Sequence, residues 1–332
     1  MRKIKLKIFF THLVLLLFYV SCSNDKNSIE TENENPNSES TITITQIVDC
    51  PICPLENEIN FYKNKPMFVI GSKMYLYVGL SSIQKFYEFD TVADKWTEKA
   101  FPEAQPSSGL SFSIGNKGYL LSGESLYEYD SDLNTWQTKE SHPLSSTDNY
   151  DYALIYQNKA YIGGNPNTNG MTSYDPSLND WQMITVYPGN GKFGEQRCSF
   201  MLNNKIYTGG GRINTNGDTH TDFWEYDLID NAWDKKDNID HFLGLGITPL
   251  FNIDNKQYVY YQRIVYDQND NYERQHELWV YDSLNDKWNQ HTNFNGSLPK
   301  SNGPGYVCGF SIGNLGYILL ENGTLYSINI DN

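Results

Sequence analysis

Short apolar segments alternate with polar turns along most of the chain, from about residue 66 to residue 330. In a segment such as FSIGNKGYLLSG (112–123), apolar residues alternate over about four positions, a Gly-Asn pair follows, and a second apolar run begins. Alternation with period two is typical of β-strands, and such pairs favour the positive φ angles of tight hairpin turns. No helical period competes with this pattern. The chain is therefore predicted to be all-β and built from short hairpins.

A second block follows each hairpin. A strand rich in aromatic residues ends in an aromatic-Asp pair, and a Trp stands six residues after the Asp. Five copies occur, from Asp90 to Trp96, Asp130 to Trp136, Asp175 to Trp181, Asp227 to Trp233 and Asp282 to Trp288. The Asp side chain can accept backbone N–H bonds in the turn before the Trp strand. We interpret each Trp as packing between neighbouring repeats, and none of them as a ligand platform.

The sixth copy is incomplete. It begins as FSIGNLGYILLENG (310–323) and continues to Leu325-Tyr326, but no fourth strand follows before the chain ends. Residues 41–48, TITITQIV, alternate with period two and need a sheet to join. An unpaired strand position would leave the assembly open. We therefore predict that residues 41–48 supply the missing strand.

Four strands in each repeat of about 40–50 residues are typical of a β-propeller blade. The order of an apolar strand, a Gly-Gly pair and Tyr-Asp-x5-Trp resembles the kelch repeat over about residues 66–330. The resemblance implies a six-bladed kelch-type β-propeller, similar to the central domain of galactose oxidase, closed by the N-terminal strand. Within a propeller domain of residues 41–332, the expected blades are 66–101, 110–141, 152–185, 198–237, 248–292, and 308–330 with 41–48.

The N-terminus predicts export and lipid attachment. Residues 1–22 combine a basic start with a short apolar run, Ile8–Val20, and end in Ser21-Cys22. Such a run is too short to span a membrane stably, which favours a signal peptide. A small residue followed by Cys resembles the lipobox of bacterial lipoproteins, so Cys22 is the predicted lipidation site; cleavage by ordinary signal peptidase is the alternative. We expect attachment to a bacterial membrane, by preference the outer one, on the periplasmic or outward-facing side.

Residues 23–40 are acidic and contain almost no apolar side chain. Such a segment cannot bury enough surface to offset the entropy lost on ordering. We interpret it as a disordered acidic tether that reaches on the order of 25 Å. The formal charge of the whole chain is −15, which argues against nucleic acid as a partner because binding to phosphates needs clustered Lys and Arg. We expect a monomeric propeller with no cofactor and no metal.

Length variation predicts where a ligand would bind. The turns between the first and second strands and between the third and fourth strands of each repeat are uniformly tight, and in a propeller they lie on one face. The connections that vary in length lie on the opposite face. Function is usually carried by variable loops on a rigid scaffold. The ligand-binding candidates at the rim of that face are Tyr150, Glu195, Arg197, Arg212, His220, His241, Arg263 and Tyr306. Residues 258–281 also suggest a long projecting hairpin, a possible contact arm for a partner.

Two of these candidates have competing interpretations. Arg197 directly precedes an innermost strand, so it could bind a carboxylate or a sugar acid, or it could pair with Glu195 or a loop carbonyl. His220 and His241 lie in loops of neighbouring blades, where a shared metal is conceivable. No His-x-His or His-x3-His spacing supports a metal, so ordinary loop histidines are the preferred interpretation.

Four cysteines remain besides Cys22. Cys50 and Cys53 form a C-x2-C pair without a second pair for zinc, and in an exported protein a disulfide or a clamp on the closing segment is the expectation. Cys198 and Cys308 occupy equivalent positions in blades 4 and 6 and are interpreted as small core residues. A bond between Cys53 and Cys308 is an alternative, because the two segments could meet at the ring closure.

Three functions fit these observations. The first is a membrane-anchored binding module that engages a protein or glycan ligand through its loop-rich face. The second is a sugar-acid enzyme, a carbohydrate epimerase or mutarotase, because kelch-type propellers include a bacterial N-acetylneuraminate epimerase; Glu195 with Arg197 or Arg212 would then be the acid–base candidates. The third is a structural component of a surface complex. Fold alone does not decide among them, and the binding module is the preferred hypothesis.

Overall fold

Each of the six repeats forms one four-stranded antiparallel sheet, or blade, in a computed structural model of the chain. The structure describes residues 41–49, 67–79, 84–103, 109–144, 151–164, 169–189, 197–211, 220–239, 250–266, 272–291, 307–320 and 324–331. Every regular element in these ranges is a β-strand. The described residues contain no helix that is long and apolar enough to cross a bilayer. The prediction of an all-β, six-bladed propeller is confirmed.

The strands of each blade are neighbours in chain order, except that the first strand of the chain joins the last blade. Blade 1 contains β2 (Met67–Ile70), β3 (Lys73–Gly79), β4 (Gln84–Asp90) and β5 (Lys95–Glu98); blade 2 contains β6 (Leu110–Ile114), β7 (Lys117–Ser122), β8 (Ser125–Asp130) and β9 (Thr135–Thr138). Blade 3 contains β10 (Tyr152–Tyr156), β11 (Lys159–Gly163), β12 (Gly170–Asp175) and β13 (Asp180–Val186); blade 4 contains β14 (Cys198–Leu202), β15 (Lys205–Gly209), β16 (Phe223–Asp227) and β17 (Ala232–Lys236). Blade 5 contains β18 (Leu250–Ile253), β19 (Lys256–Tyr266), β20 (Tyr272–Asp282) and β21 (Lys287–Gln290); blade 6 contains β22 (Val307–Ile312), β23 (Leu315–Leu320), β24 (Thr324–Asp331) and β1 (Thr41–Asp49).

Tight turns occupy one face of the ring, which we call the turn face. It carries the turns between the first and second strands and between the third and fourth strands of a blade. In blade 3 the first of these turns consists of Gln157 and Asn158, with φ of 48° and 59°. Positive φ at both central residues matches the right-handed twist of the paired strands, which explains the Asn-containing pairs in the sequence. The opposite face, the loop face, carries all other connections.

The turn between the third and fourth strands is built from the repeated Asp and Asn side chains. In blade 2, Asp130 Oδ1 accepts the backbone N–H groups of Asp132 and Leu133 at 3.0 and 3.1 Å. Asn134 adopts φ 55°, and its Oδ1 accepts the hydroxyl of Tyr129 at 2.8 Å. The same Asp contacts recur at Asp90, Asp227 and Asp282. The predicted role of the Asp is therefore confirmed.

The repeated Trp residues connect neighbouring blades. Trp136 of blade 2 donates its Nε1–H to the carbonyl of Ala100, just after blade 1, at 2.7 Å. Trp181 of blade 3 makes the equivalent bond to the carbonyl of Glu140 at 2.9 Å. These contacts confirm that the Trp residues pack between blades.

The hydrophobic core consists of layers between adjacent blades. One cluster of buried side chains lies at each of the six junctions. In five blades a Phe of the first strand stacks on a Tyr of the second, as in Phe68 and Tyr75 at 5.2 Å. A Cβ on Gly118 of blade 2 would lie 2.1 Å from the Phe68 ring. Glycine at this position therefore lets blade 2 approach the aromatic layer of blade 1 closely.

Buried carboxylates near the turn face are paired with lysines. Glu88 in β4 accepts hydrogen bonds from Lys73 at 2.6 Å and Tyr75 at 2.8 Å, and Lys99 lies 3.2 Å away. Burial raises the pKa of Glu88, but these donors outweigh it and hold the pKa below its ordinary value. Glu128 and Glu225 occupy the same position in blades 2 and 4, each beside a lysine.

The N-terminal strand closes the ring as predicted. β1 pairs with β24 in antiparallel register from Thr41 opposite Asp331 to Asp49 opposite Thr324, with one irregularity between Gln46 and Val48. Ile42 is buried in the core layer between blades 5 and 6. The first strands of blades 6 and 1 also contact each other, which completes the circle. The predicted signal peptide and tether, residues 1–40, lie outside the described residues.

Candidate functional site

The structure describes two of the side chains that are predicted to contact a ligand. Arg197 directly precedes β14, the first strand of blade 4, and His220 lies shortly before β16. Arg263 belongs to β19, where its backbone pairs with that of Gln275. Tyr150, Glu195, Arg212, His241, Tyr306 and the predicted lipidation site Cys22 lie outside the described residues.

A long hairpin extends blade 5 beyond the loop-face ends of the other blades. β19 and β20 have 11 residues each, and they pair continuously from Gln257 opposite Tyr281 to Tyr266 opposite Tyr272. The second strand of the other blades has five to seven residues. At about 3.3 Å per residue, the hairpin is longer by about 16 Å. This register confirms the long hairpin predicted from residues 258–281.

Arg197 is buried at the junction of blades 3 and 4. Its side chain is 5 % exposed, and its guanidinium carbon lies 4.3 Å from the centre of the Tyr187 ring. Its Nη2 donates to Asn169 Oδ1 at 3.4 Å. A buried cation over an aromatic face is worth about 2 kcal/mol, because little water competes with the ring. These contacts favour a structural role for Arg197, with Tyr187 and Asn169 added to the partners expected from the sequence, Glu195 or a loop carbonyl. A ligand contact stays a prediction.

Tyr187 connects this arginine to a buried carboxylate. Its hydroxyl donates to Asp222 Oδ2 at 3.0 Å, and the indole N–H of Trp224 donates to the same oxygen at 3.0 Å. Burial raises the pKa of Tyr187 well above its ordinary value, and the charge of Asp222 adds to the effect. A Cβ on Gly189 would lie 2.1 Å from Asp222 Oδ2, so the backbone itself covers this bond. Tyr187 is therefore a neutral donor, held in place from two sides.

Tyr152, at the start of β10, lies close enough to Arg197 for its charge to matter. Burial raises the pKa of Tyr152, and the positive charge of Arg197 partly offsets the rise. The Tyr152 hydroxyl contacts the sulfur of Met171 at 3.6 Å. We call the set of Tyr152, Asn169, Tyr187, Arg197, Asp222 and Trp224 the Arg197 cluster. It places one fixed positive charge and one fixed carboxylate under the loop face.

Blade 5 repeats one part of this arrangement. The indole N–H of Trp279 donates to Glu277 Oε2 at 2.9 Å, as Trp224 does to Asp222 in blade 4. Both Trp side chains are partly exposed, and each stands on a third strand three residues before the repeated Asp of its blade. The signal for this contact in the sequence is an acid-x-Trp spacing at 222–224 and 277–279. The strand pattern by itself predicts only a third strand that is rich in aromatic residues there. Two neighbouring blades thus each carry an indole oriented by an acidic side chain, Trp224 beside Tyr187 of blade 3 and Trp279 at the junction of blades 4 and 5.

The described histidines and cysteine fit structural roles. His220 is partly exposed, and its backbone N–H donates to the carbonyl of Gly211 at 2.9 Å. His142 is buried between blades 2 and 3, where burial lowers its pKa and Nε2 contacts Thr172 Oγ1 at 2.8 Å. Cys198 is buried in the layer between blades 4 and 5, as expected for a small core residue. Among the described residues, no group of three or more His, Cys, Asp and Glu side chains could hold a metal ion.

Comparisons with known proteins support the fold. No family model matches the sequence, and no curated protein matches it. Among solved structures, 634 chains match. One, described as "Structure of YjhT", superposes with a TM-score of 0.63 and 15 % sequence identity, covering 86 % of this chain and 99 % of that one. By its fold, this chain is a six-bladed β-propeller in which each sequence repeat forms one blade.

Proposed function

We propose that this protein is a lipid-anchored, exported binding module that engages a protein or glycan ligand through its loop face. The observation that carries the proposal is the difference between the two faces. The turn face repeats the same tight turns from blade to blade. The loop face differs at every blade, and one blade extends by a hairpin of two 11-residue strands. A rigid ring with one variable face is the arrangement that proteins use to present binding loops.

The hairpin favours a ligand that is large enough to contact it from the side. Its strands pair with each other beyond the blade. Among the described residues no third strand pairs with them there, because β18 ends its pairing at Val259 and β21 at Trp279. Exposed strand edges can add a strand from a partner, and they can equally form a wall beside a bound molecule. The hairpin therefore forms a wall at one side of the loop face, with no equivalent among the described residues of the other five blades.

The Arg197 cluster gives the loop face a rigid base. Its charged and aromatic groups are held by hydrogen bonds across the junction of blades 3 and 4. Groups that are ordered before binding lose little entropy when a ligand arrives, which favours affinity. Oriented tryptophans next to acidic side chains can offer an apolar surface beside hydrogen-bond acceptors, a combination suited to carbohydrate or peptide.

The test uses the Cys22→Ser chain, so that lipid does not interfere, on a glycan array and with free N-acetylneuraminate. A first variant replaces residues 262–276 by Asn-Gly, which leaves second and third strands of ordinary length. The control variant replaces Gly115-Asn116 on the turn face by Asn-Gly. We expect one glycan class to bind, with at least a tenfold weaker affinity in the hairpin variant and an unchanged affinity in the control.

A protein ligand is tested with the same variants. Cell-envelope extract from the source organism is cross-linked to the chain through a photoreactive residue at Val265 in the hairpin. A single specific adduct would support a protein ligand, provided that an excess of the hairpin variant competes only poorly with the photoreactive chain for that ligand. If no glycan, no N-acetylneuraminate and no specific adduct is found, the proposed binding function is wrong. Mutarotation of N-acetylneuraminate by the chain would instead support the enzyme hypothesis.

Lipid attachment is tested separately. Mass spectrometry of the mature protein should show an acylated Cys22 at the N-terminus, and the Cys22→Ser variant should lose the modification. A mature protein that begins at another residue and carries no acyl chain would contradict this part of the proposal.

A further inference from the structure

Five large aliphatic side chains are exposed at the same turn of five different blades. All lie between the repeated Asp and the repeated Trp, where the third strand turns into the fourth. Their exposed fractions are 82 % for Val92, 71 % for Leu133, 67 % for Leu178, 69 % for Ile229 and 92 % for Leu284. Only two other large hydrophobic side chains in the described part of the chain are exposed, Met183 and Val186, and both lie on the outermost strand of blade 3.

The ring places these five side chains in equivalent turns on one face. They stand two residues after the repeated Asp in blades 1, 4 and 5 and three residues after it in blades 2 and 3, and equivalent turns of propeller blades are related by rotation about the central axis. Single exposed aliphatic residues are ordinary on protein surfaces. Five in the equivalent turns of one face are not scattered, and a surface laid against the turn face would meet all five turns.

The sixth blade has no such turn, because its fourth strand comes from the other end of the chain. Thr43 of β1 lies opposite Asn329, as Lys95 lies opposite Asp90 in blade 1. β1 begins two residues earlier, with Thr41 opposite Asp331. The chain that precedes β1 therefore joins the ring on the turn face, in the gap of the aliphatic circle. Asp49, at the other end of β1, lies on the loop-face side.

We propose that the turn face docks on the surface of a lipid bilayer, with Val92, Leu133, Leu178, Ile229 and Leu284 in contact with it. The inference rests on the proposed lipid attachment at Cys22, which would hold the ring close to the bilayer. Residues 23–40 would then join the bilayer to the face that carries the aliphatic circle, and the loop face would point away from the membrane. Insertion of aliphatic side chains at the lipid interface is favourable in proportion to the apolar area removed from water.

Charge identifies the kind of lipid surface. The repeated Asp residues of four of these turns pair with lysines; Asp175 lies 3.0 Å from Lys159, for example, and Asp227 lies 3.3 Å from Lys205. The turns also carry the exposed side chains of Asp94, Asp132, Asp180 and Asp230. This face therefore has no excess of basic side chains to attract an anionic headgroup, and its exposed carboxylates would repel one. The chain as a whole carries −15. A zwitterionic surface such as phosphatidylcholine or phosphatidylethanolamine fits this face better than an anionic surface.

The test uses the acylated chain in phosphatidylcholine vesicles that contain a phospholipid with a photoreactive acyl chain. We expect the reagent to label peptides that contain Leu133, Leu178 and Leu284. In the triple variant Leu133→Asn, Leu178→Asn and Leu284→Asn, labelling of these peptides should decrease at least tenfold. The control variant, Met183→Asn with Val186→Asn, removes the exposed hydrophobic side chains away from the turn face and should be labelled like the parent. Thermal unfolding of both variants confirms that the ring is intact.

Labelling of loop-face peptides, or no labelling of the turn peptides in the vesicle-bound chain, would overturn the inference. The inference would also be wrong if the Cys22→Ser chain dimerises in sedimentation and the triple variant abolishes the dimer. A second copy of the chain, and not a bilayer, would then occupy the turn face. If the mature protein proves not to be acylated, the attachment proposal fails by itself. Docking is then judged by sedimentation of the unmodified chain with the same vesicles, which must weaken at least tenfold in the triple variant and must not change in the control.

Discussion

The repeated Trp residues differ in one contact, and that difference predicts unequal costs for the same substitution. Trp136 donates its Nε1–H across the junction of blades 1 and 2 to Ala100 at 2.7 Å. The Nε1 atom of Trp288, at the junction of blades 4 and 5, is buried and has no hydrogen-bond partner among the described residues. Trp136→Phe therefore removes a bond, whereas Trp288→Phe removes a donor that makes none.

The ring contacts of the two residues are similar, so the apolar part of the cost should be nearly equal. Trp136 packs on Tyr129 at 5.0 Å and Phe86 at 5.1 Å, and Trp288 packs on Tyr281 at 5.0 Å and Phe200 at 5.8 Å. Loss of the larger ring should destabilise either variant by about 1–2 kcal/mol. Trp136→Phe also leaves the Ala100 carbonyl without this donor, which adds about 1–3 kcal/mol, whereas Trp288→Phe relieves an unmade bond.

The free energy of unfolding of both variants is measured by urea denaturation with Trp fluorescence and circular dichroism. We expect Trp136→Phe to be the less stable variant by about 1–3 kcal/mol. Trp181→Phe, which removes the bond to Glu140, should behave like Trp136→Phe. Equal losses at the three positions would refute the reasoning that these hydrogen bonds connect the blades.

Three further outcomes follow from the fold. Deletion of residues 41–48 removes the fourth strand of blade 6 and buried Ile42, so circular dichroism should show loss of cooperative unfolding; a cooperative transition at the parent temperature would contradict closure by β1. Gly118→Ala places a methyl group 2.1 Å from the Phe68 ring and should cost about 1–3 kcal/mol in urea unfolding. The control Gly123→Asn, which has open space and φ 59°, should change stability by less than about 0.5 kcal/mol. His142 has a lowered folded pKa because it is buried, so the unfolded state binds its proton more readily and stability should fall as pH drops below about 6.5. His142→Gln should reduce this slope in urea titrations between about pH 7 and 5, and an unchanged slope would exclude His142 as its source.

The fold was predictable because each repeat carries its own turn chemistry. The Asn pairs of the first turn and the Asp and Asn side chains of the second act on their own backbone within a few residues. Closure by residues 41–48 was predictable as well, because a strand with period-two alternation and a blade with a missing strand occur in the same chain. Both signals are local, so one sequence is enough to interpret them.

The Arg197 cluster was only partly predictable, because its contacts join segments that are far apart in the chain. Arg197 stood out as a charge next to an inner strand. Its partner Tyr187 is bonded to Asp222, 35 residues away, and nothing local connects the two. The acid-x-Trp spacing in blades 4 and 5 was visible in the sequence but was interpreted as part of the strand pattern. The orientation of the N-terminal segment could not be read from the sequence either, since it depends on the register of β1 against β24.

The central claim is that the two faces of the ring have different tasks, with ligand on the loop face and membrane on the turn face. It is tested most directly by placing one photoreactive residue at Val265 in the hairpin or at Asp132 in a turn of blade 2, in the acylated chain on native membranes. We expect a ligand adduct from position 265 and phospholipid adducts from position 132. Phospholipid adducts from position 265 together with ligand adducts from position 132 would show that the faces have been assigned the wrong way round.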